Sequence, residues 1–310
     1  MAFNLMINTK CNSNCNFCFA KKYVNKKNSG LMSRADFNKV LVFLKSSKIN
    51  TVTLMGGEPT LSKDFYYFID RALDEGFDIL ILSNGLWPRG VRSFLATKPA
   101  DRITFCFNIN PYQPEEALKR SISNAHKMAK QAILSVNIDR TDIDFEFYLE
   151  LLKKTGILKI RWSFSLPGTD NTYMTKSAQR KTIPALLKFF DRILTQGIEI
   201  IPDHLVTLCM FNEKQIGFMI KHKIKLKTIC TPIIDILPNL DIINCFPLSD
   251  KMISYNLSQS KNPVEIVAKF RRNIDDLLDK HLPSKCRACK YYARKLCNGG
   301  CLAFRFTEDR

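Results

Sequence analysis

The chain has 310 residues, of which 45% are hydrophobic and 25% charged, with a formal net charge of +18. That composition excludes a disordered or fibrous protein, and the length suits one large domain and a smaller one. No apolar run approaches the roughly 20 residues of a membrane span, and no signal peptide opens the chain, so a cytoplasmic protein is expected. Apolar, β-branched runs predict strands at residues 3–7, 50–54, 79–82, 103–108, 132–138 and 158–164. Amphipathic stretches between them predict helices at 34–46, 65–74, 91–96, 115–130 and 144–153. Ser33 is a start signal for the first of these helices, and Pro114 with Glu115 and Glu116 for the fourth. Regular alternation of strand and helix predicts an α/β fold, a partial (β/α)6 TIM-type barrel with its active site at the carboxyl ends of the strands.

A polar linker follows at 165–177, then a helix at 178–195 that Gly197 ends. We place a domain boundary near residue 200, giving a barrel of residues 1–200 and a small cysteine-rich extension of residues 201–310. In the extension, 233–243 reads as a β-hairpin turning at Pro238-Asn239, and 263–280 as a helix. The basic run 221–227 alternates lysine with apolar residues and reads as an edge strand with one solvated face. A high positive charge can mark an acidic partner such as RNA or an acidic peptide. Here lysine outnumbers arginine about two to one, and no arginine-rich run is interleaved with aromatics. Solvated faces are the favoured reading and nucleic acid the disfavoured one.

Eleven cysteines without a secretory signal point to metal ligation rather than disulfides. Three of them, Cys11, Cys15 and Cys18, form a loop directly after the first strand. Three thiolates suit an iron–sulfur cluster that keeps one iron open. A structural zinc site wants a fourth Cys or His close by, and none lies between Cys18 and Cys106. After the second strand come Gly56, Gly57, Glu58 and Pro59. Two glycines let backbone approach a ligand closely, and a carboxylate beside them can accept from an ammonium group. Polar residues also mark the later strand ends: Ser83 and Asn84, then Asn108, then Ser135 with Asn137. Ser-Asn-Gly is equally a common turn.

The cysteine spacing, with Phe17 before the third thiol, resembles the signature of the radical S-adenosylmethionine (SAM) enzymes. The resemblance implies a [4Fe–4S] cluster on Cys11, Cys15 and Cys18 whose open iron chelates SAM. Gly56, Gly57, Glu58 and Pro59 are similar to the family motif that holds the SAM amino group. By the same resemblance Ser83, Asn84, Asn108, Ser135 and Asn137 stand where ribose and carboxylate contacts are made, and Phe17 packs beside the adenine. The implied chemistry is reductive cleavage of SAM to a 5′-deoxyadenosyl radical that abstracts a substrate hydrogen.

A second group, Cys230, Cys245, Cys286, Cys289, Cys297 and Cys301, resembles the SPASM extension of these enzymes or its shorter twitch relative. One or two auxiliary [4Fe–4S] clusters are implied. In one arrangement Cys230, Cys245 and Cys301 share a cluster while Cys286, Cys289 and Cys297 hold another with an open iron. In the twitch-like alternative Cys230, Cys245, Cys286 and Cys289 hold a single cluster. A zinc ribbon of Cys286, Cys289, Cys297 and Cys301 is the competing reading, and Asp, Glu or a substrate group can also complete a site. The pattern departs from a full SPASM domain, since no cysteine follows Cys301.

Cys106, in an apolar strand, reads as a small core residue. Cys209 reads the same way or as a catalytic thiol that donates hydrogen to a substrate radical. His204 beside Asp203 reads as a surface pair or a proton acceptor. Enzymes resembling this chain over both regions mostly modify peptides, by crosslinking, epimerisation or oxidation, so a peptide substrate is expected. Cys11 lies so near the first residue that a separate leader-recognition protein is expected, along with an electron donor such as flavodoxin or ferredoxin. The alternatives are a small-molecule radical SAM dehydrogenase and a non-catalytic iron–sulfur or zinc protein.

Overall fold

A computed structural model of the chain describes residues 3–26, 30–168, 171–259 and 262–308. Residues 169 and 170 of the expected linker lie outside the described residues. Strand and helix alternate through β1 (Phe3–Asn8), α1 (Arg34–Lys45), β2 (Thr51–Gly56), α2 (Phe65–Asp74), β3 (Asp78–Ser83) and α3 (Val91–Ala96). The alternation continues with β4 (Ile103–Phe107), α4 (Glu115–Lys127), β5 (Ala132–Ile138), α5 (Phe145–Thr155), β6 (Lys159–Phe164), α6 (Lys176–Leu194) and β7 (Glu199–Pro202). The extension holds α7 (Glu213–Lys221), β8 (Ile234–Ile236), β9 (Asp241–Ile243), β10 (Tyr255–Asn256), α8 (Pro263–Lys280) and α9 (Leu302–Glu308).

Local chemistry explains the helix ends. The Ser33 hydroxyl accepts from the Asp36 N–H at 3.0 Å, capping α1, and the helix then buries Phe37, Val40, Leu41 and Leu44 at helical spacing. Asp144 caps α5 through the Phe147 N–H at 3.1 Å. Gly156, at φ +72°, ends α5 with its own N–H on the Leu152 carbonyl.

One open sheet of ten strands runs in the order β10-β9-β8-β1-β2-β3-β4-β5-β6-β7, and β1 through β7 are mutually parallel. The expected six strands thus gain a seventh, β7, beside β6. On the other edge β8 of the extension pairs parallel with β1, Asn4 lying opposite Asp235. The hairpin β8–β9 turns at residues 237–240 around the expected Pro238-Asn239, with the Leu240 N–H on the Leu237 carbonyl and Leu240 at φ +67°. The expected edge strand at 221–227 does not form. Lys221 ends α7 and Lys223 adopts φ +54°, a left-handed turn that an extended strand cannot contain. The Ile224 N–H then closes on the Met219 carbonyl, burying Ile224.

Strand alternation sorts the two faces of the sheet. Leu134, Val136 and Ile138 of β5, with Ile160, Trp162 and Phe164 of β6, join the main apolar core. Ser135, Asn137 and Arg161 take the opposite register and line the concave interior. The interior is therefore polar at the carboxyl ends of the strands, as a site needs.

Candidate active site

The loop after β1 presents Cys11, Cys15 and Cys18 to a cavity of about 270 Å³. Asn25 clamps the loop from both sides: its amide oxygen accepts from the Cys11 N–H at 2.8 Å, and its amide nitrogen donates to the Cys11 carbonyl at 3.1 Å. The sulfurs receive polar hydrogens. The Ser13 N–H reaches Cys11 Sγ at 3.4 Å, and the Asn110 amide reaches Cys15 Sγ at 3.6 Å. Burial pushes the Cys11 thiol up to about 12 and Cys18 up to about 11, and it raises Cys15 as well. Such thiols ionise only beside a strong positive charge, as iron in a cluster provides.

The β2 turn is welded to this loop. The Gly57 N–H donates to the Asn8 carbonyl at 3.0 Å, and the Glu58 N–H to the Lys10 carbonyl at 2.7 Å. A Cβ on Gly57 would stand 2.2 Å from the Lys10 oxygen and 2.8 Å from Cys11 Cβ, and one on Gly56 would stand 2.5 Å from the Asn8 oxygen. The glycines are thus demanded by the approach of the turn to the cysteine loop, and both also line the cavity.

Glu58 is fully buried and does not line the cavity. One carboxylate oxygen accepts from the Thr60 hydroxyl at 2.7 Å, the Thr60 N–H at 3.2 Å and the Ser83 hydroxyl at 2.9 Å. The other accepts from the Asn84 N–H at 2.8 Å. Burial raises its pKa, and these donors oppose the rise. The carboxylate therefore ties the end of β2 to the end of β3. Pro59 starts the short helical turn Pro59–Leu61 behind it and is also away from the cavity.

Across the cavity run Ser83, Asn84, Asn108, Ser135 and Asn137, all in its lining, with Phe17 beside the thiols. The Asn137 amide donates to Asn108 at 3.0 Å and to Ser135 at 3.3 Å, a polar ladder across β4 and β5. The Asn84 amide donates to Asn12 at 2.8 Å, linking the end of β3 to the cysteine loop.

The far wall holds a group that sequence reading did not assemble. Arg161, Asp203 and His204 all line the cavity, with Arg161 Nε 3.4 Å and His204 Nε2 3.6 Å from the Asp203 carboxylate. Burial alone would push the Asp203 carboxyl up, but Arg161, His204 and Lys227 outweigh it and hold it below the usual range. Burial also lowers the His204 pKa, against the pull of Asp203. His204 Nδ1 has no partner and Phe19 packs edge-on to the ring. The surface-pair reading of Asp203-His204 gives way to a half-buried wall of the cavity. The signal was available in Arg161, which interrupts an apolar strand in the inward register. Cys106 is buried on β4 and also reaches the cavity. Cys209 is exposed and does not line it.

In the extension, Cys230, Cys245 and Cys301 pack around one small core with Leu248, Met252, Ile274, Leu278, Leu302 and Ala303. Burial pushes the Cys230 thiol up to about 12, with Cys301 the next cause, and raises Cys245 and Cys301 too. Cys286 has Cys209, Cys289 and Cys297 as its thiol neighbours. Cys230, Cys245 and Cys301 thus share one small core, and Cys286 is electrostatically coupled to Cys209, Cys289 and Cys297. Among the described residues no three His, Cys, Asp or Glu side chains meet as they would around one ion.

A family profile described as the radical SAM superfamily matches residues 5–222. Among curated proteins, a probable GTP 3′,8-cyclase of Methanothermobacter thermautotrophicus is 26% identical over 46% of this chain and 47% of its own length. An S-adenosylmethionine-dependent nucleotide dehydratase of Selenomonas ruminantium is 34% identical over 26% of this chain and 29% of its own. The chain thus spans half or less of both relatives. Among solved structures, SuiB of Streptococcus suis bound to S-adenosylmethionine aligns over 97% of this chain and 73% of its own, at TM-score 0.71 and 16% identity. The enzyme anSMEcpe with bound AdoMet and a peptide aligns over 97% and 88%, at TM-score 0.69 and 15% identity.

Proposed function

The chain belongs to the radical SAM superfamily, and on that premise we propose that it modifies a ribosomally made peptide or protein by crosslinking, epimerisation or oxidation. The family's cofactors are a [4Fe–4S] cluster and SAM, which together supply the radical that takes a hydrogen atom from the substrate. Cys11, Cys15 and Cys18 are the three thiols that would hold the cluster, and their N–H neighbours would stabilise the thiolates. Backbone at Gly56 and Gly57, with Ser83, Asn84 and the ladder from Asn108 to Asn137, would hold SAM, and Phe17 would shield it from water. Arg161, Asp203 and His204 would face the substrate. Asp203, held below the usual carboxylate range, can anchor a cationic group, and His204, whose pKa burial lowers, can accept a proton.

One observation carries the peptide reading. The fold shared with the peptide-bound anSMEcpe structure extends through the cysteine-rich region, over 97% of the chain. Another SuiB structure holds its precursor peptide SuiA. The relatives named for nucleotide chemistry match 46% of the chain or less, and they support the second reading, a small-molecule enzyme. We read residues 1–200 as the catalytic barrel and 201–310 as a SPASM- or twitch-like domain carrying auxiliary clusters. A flavodoxin or ferredoxin would deliver electrons, and a separate protein would present a leader peptide. A cytoplasmic setting is part of this proposal; among the described residues no helix is long and apolar enough to cross a membrane.

The test is anaerobic incubation of the reconstituted enzyme with candidate peptides, SAM and a reductant, read by mass spectrometry. A peptide mass or stereochemical change matched by 5′-deoxyadenosine is the expected result. Turnover of a nucleotide or sugar with no peptide modified would replace this reading with the second.

A further inference from the structure

Cys209 serves no packing purpose where it stands. It is exposed, and its thiol donates only a long bond to the Thr207 hydroxyl, at 3.4 Å. Yet its position is held firmly against the segment bearing Cys286, Cys289 and Cys297. Arg180 of α6 donates to the Cys209 carbonyl at 3.2 Å, fixing the short helical turn Leu208–Met210. Thr207 packs onto the Cys297–Cys301 loop so closely that a Cβ on Gly300 would lie 2.6 Å from its methyl group. Glu213, at the start of α7, pairs at 3.7 Å with Lys290, the residue after Cys289. Thr228 laces the same region, its hydroxyl donating to the Leu296 carbonyl at 2.7 Å beside Cys297. These contacts hold the Cys209 turn against the segment that bears Cys286, Cys289 and Cys297, and Cys209 is electrostatically coupled to Cys286.

We propose that Cys209 is the fourth thiolate of a cluster held by Cys286, Cys289 and Cys297. This rests on the reading that the extension carries iron–sulfur clusters. Each thiol loses its proton to solvent as its sulfur bonds to iron. The Arg305 guanidinium lies between this set and the other. It is anchored on the Leu278 carbonyl at 2.8 Å and the Asn298 carbonyl, and it is electrostatically coupled to Cys286, Cys230 and Cys297. It would offset part of the charge that four thiolates bring to this cluster. Four-thiolate ligation leaves no iron open for substrate. The cluster is then an electron relay, and the exposure of Cys209 puts it where a redox protein can reach it.

Two measurements test this. In iron-loaded protein, Cys209 is shielded from alkylation by iodoacetamide, and stripping the iron with a chelator restores labelling several-fold. Equal labelling before and after would overturn the proposal without touching the fold or the other clusters. Next, in a Cys11→Ala/Cys15→Ala/Cys18→Ala background, Cys209→Ala lowers bound iron or converts part of it to a three-iron species seen by electron paramagnetic resonance. Cys209→Ser keeps the iron but shifts the midpoint potential. Unchanged iron, spectrum and potential in Cys209→Ala would show that another group closes the site. A triple variant with zinc and no iron would instead overturn the underlying cluster reading, and with it this one.

Discussion

The two cysteine regions solve one problem by opposite means. In the barrel three thiols come from eight consecutive residues after one strand, and Asn25 and the adjoining β2 turn set the loop. In the extension Cys230, Cys245 and Cys301 come from separate segments and share a small core only because α8, α9 and the turn after β9 fold together. The first arrangement is local and can be read from spacing alone. The second is tertiary, so its grouping emerges only from packing. The barrel site should therefore fail one ligand at a time with the fold intact, whereas the extension should lose ligation and folding together.

The largest expected effect tests that contrast directly. Cys11→Ala, Cys15→Ala and Cys18→Ala should each reduce 5′-deoxyadenosine formation to background while leaving the thermal midpoint within a few degrees. Retained SAM cleavage in the triple variant would remove the barrel cluster from the chemistry.

The junction of the regions offers the next effect. Asp235 on β8 is buried opposite Asn4 of β1, whose amide donates to it at 2.6 Å. Burial pushes its carboxyl up to about 7, against this bond and backbone N–H groups at Phe246 and Cys245. The folded value lies above the unfolded one of 3.8, so the folded chain retains the proton. Stability from this group is full below about pH 4 and is lost as pH rises through about 7, on the order of 4 kcal/mol in all. Asp235→Asn should flatten the urea midpoint between about pH 4 and 7. A slope equal to wild type would mean that the junction does not titrate there.

Gly57→Ala should follow. Its Cβ meets backbone oxygen and Cys11 Cβ, neither of which can rotate away, so a loss of about 3 kcal/mol is expected. Both cluster occupancy and SAM binding should fall, since the turn and the loop move as one. An alanine variant with full iron content and unchanged stability would show the contact to be slack.

Much of the barrel was legible because each strand carries its own period and each helix its own start, as at Ser33 and Asp144. The seventh strand and the join of β8 to β1 were not, because both are pairings between distant segments. The run 221–227 misled for a local reason. Its alternation is strand-like, but Lys223 turns left-handed so that Ile224 can be buried. Of the site, the thiols and the polar strand ends were visible as residue types. The wall of Arg161, Asp203 and His204 was not, since it joins β6 to the segment after β7. Glu58 was visible as a motif, but its direction was hidden.

That direction is the subtlest contrast, between a ligand contact and a structural tie. In the structure two fixed backbone donors, the N–H groups of Thr60 and Asn84, point at opposite carboxylate oxygens of Glu58. Ser83, which also donates to Glu58, is itself engaged by the Gly85 N–H at 3.0 Å and the Trp87 indole at 2.7 Å. A glutamine must set its amide hydrogens against one of the two backbone N–H groups whichever way it turns. Glu58→Gln should therefore cost about 1–3 kcal/mol of stability. It should also weaken SAM binding, because the turn bearing Gly56 and Gly57 loosens, while the absorbance of the barrel cluster is largely kept. A carboxylate that instead held the SAM ammonium would show a different pattern, affinity lost with stability unchanged. Denaturant titration beside a SAM binding isotherm on the same variant separates the two, and affinity falling alone would assign Glu58 to the ligand.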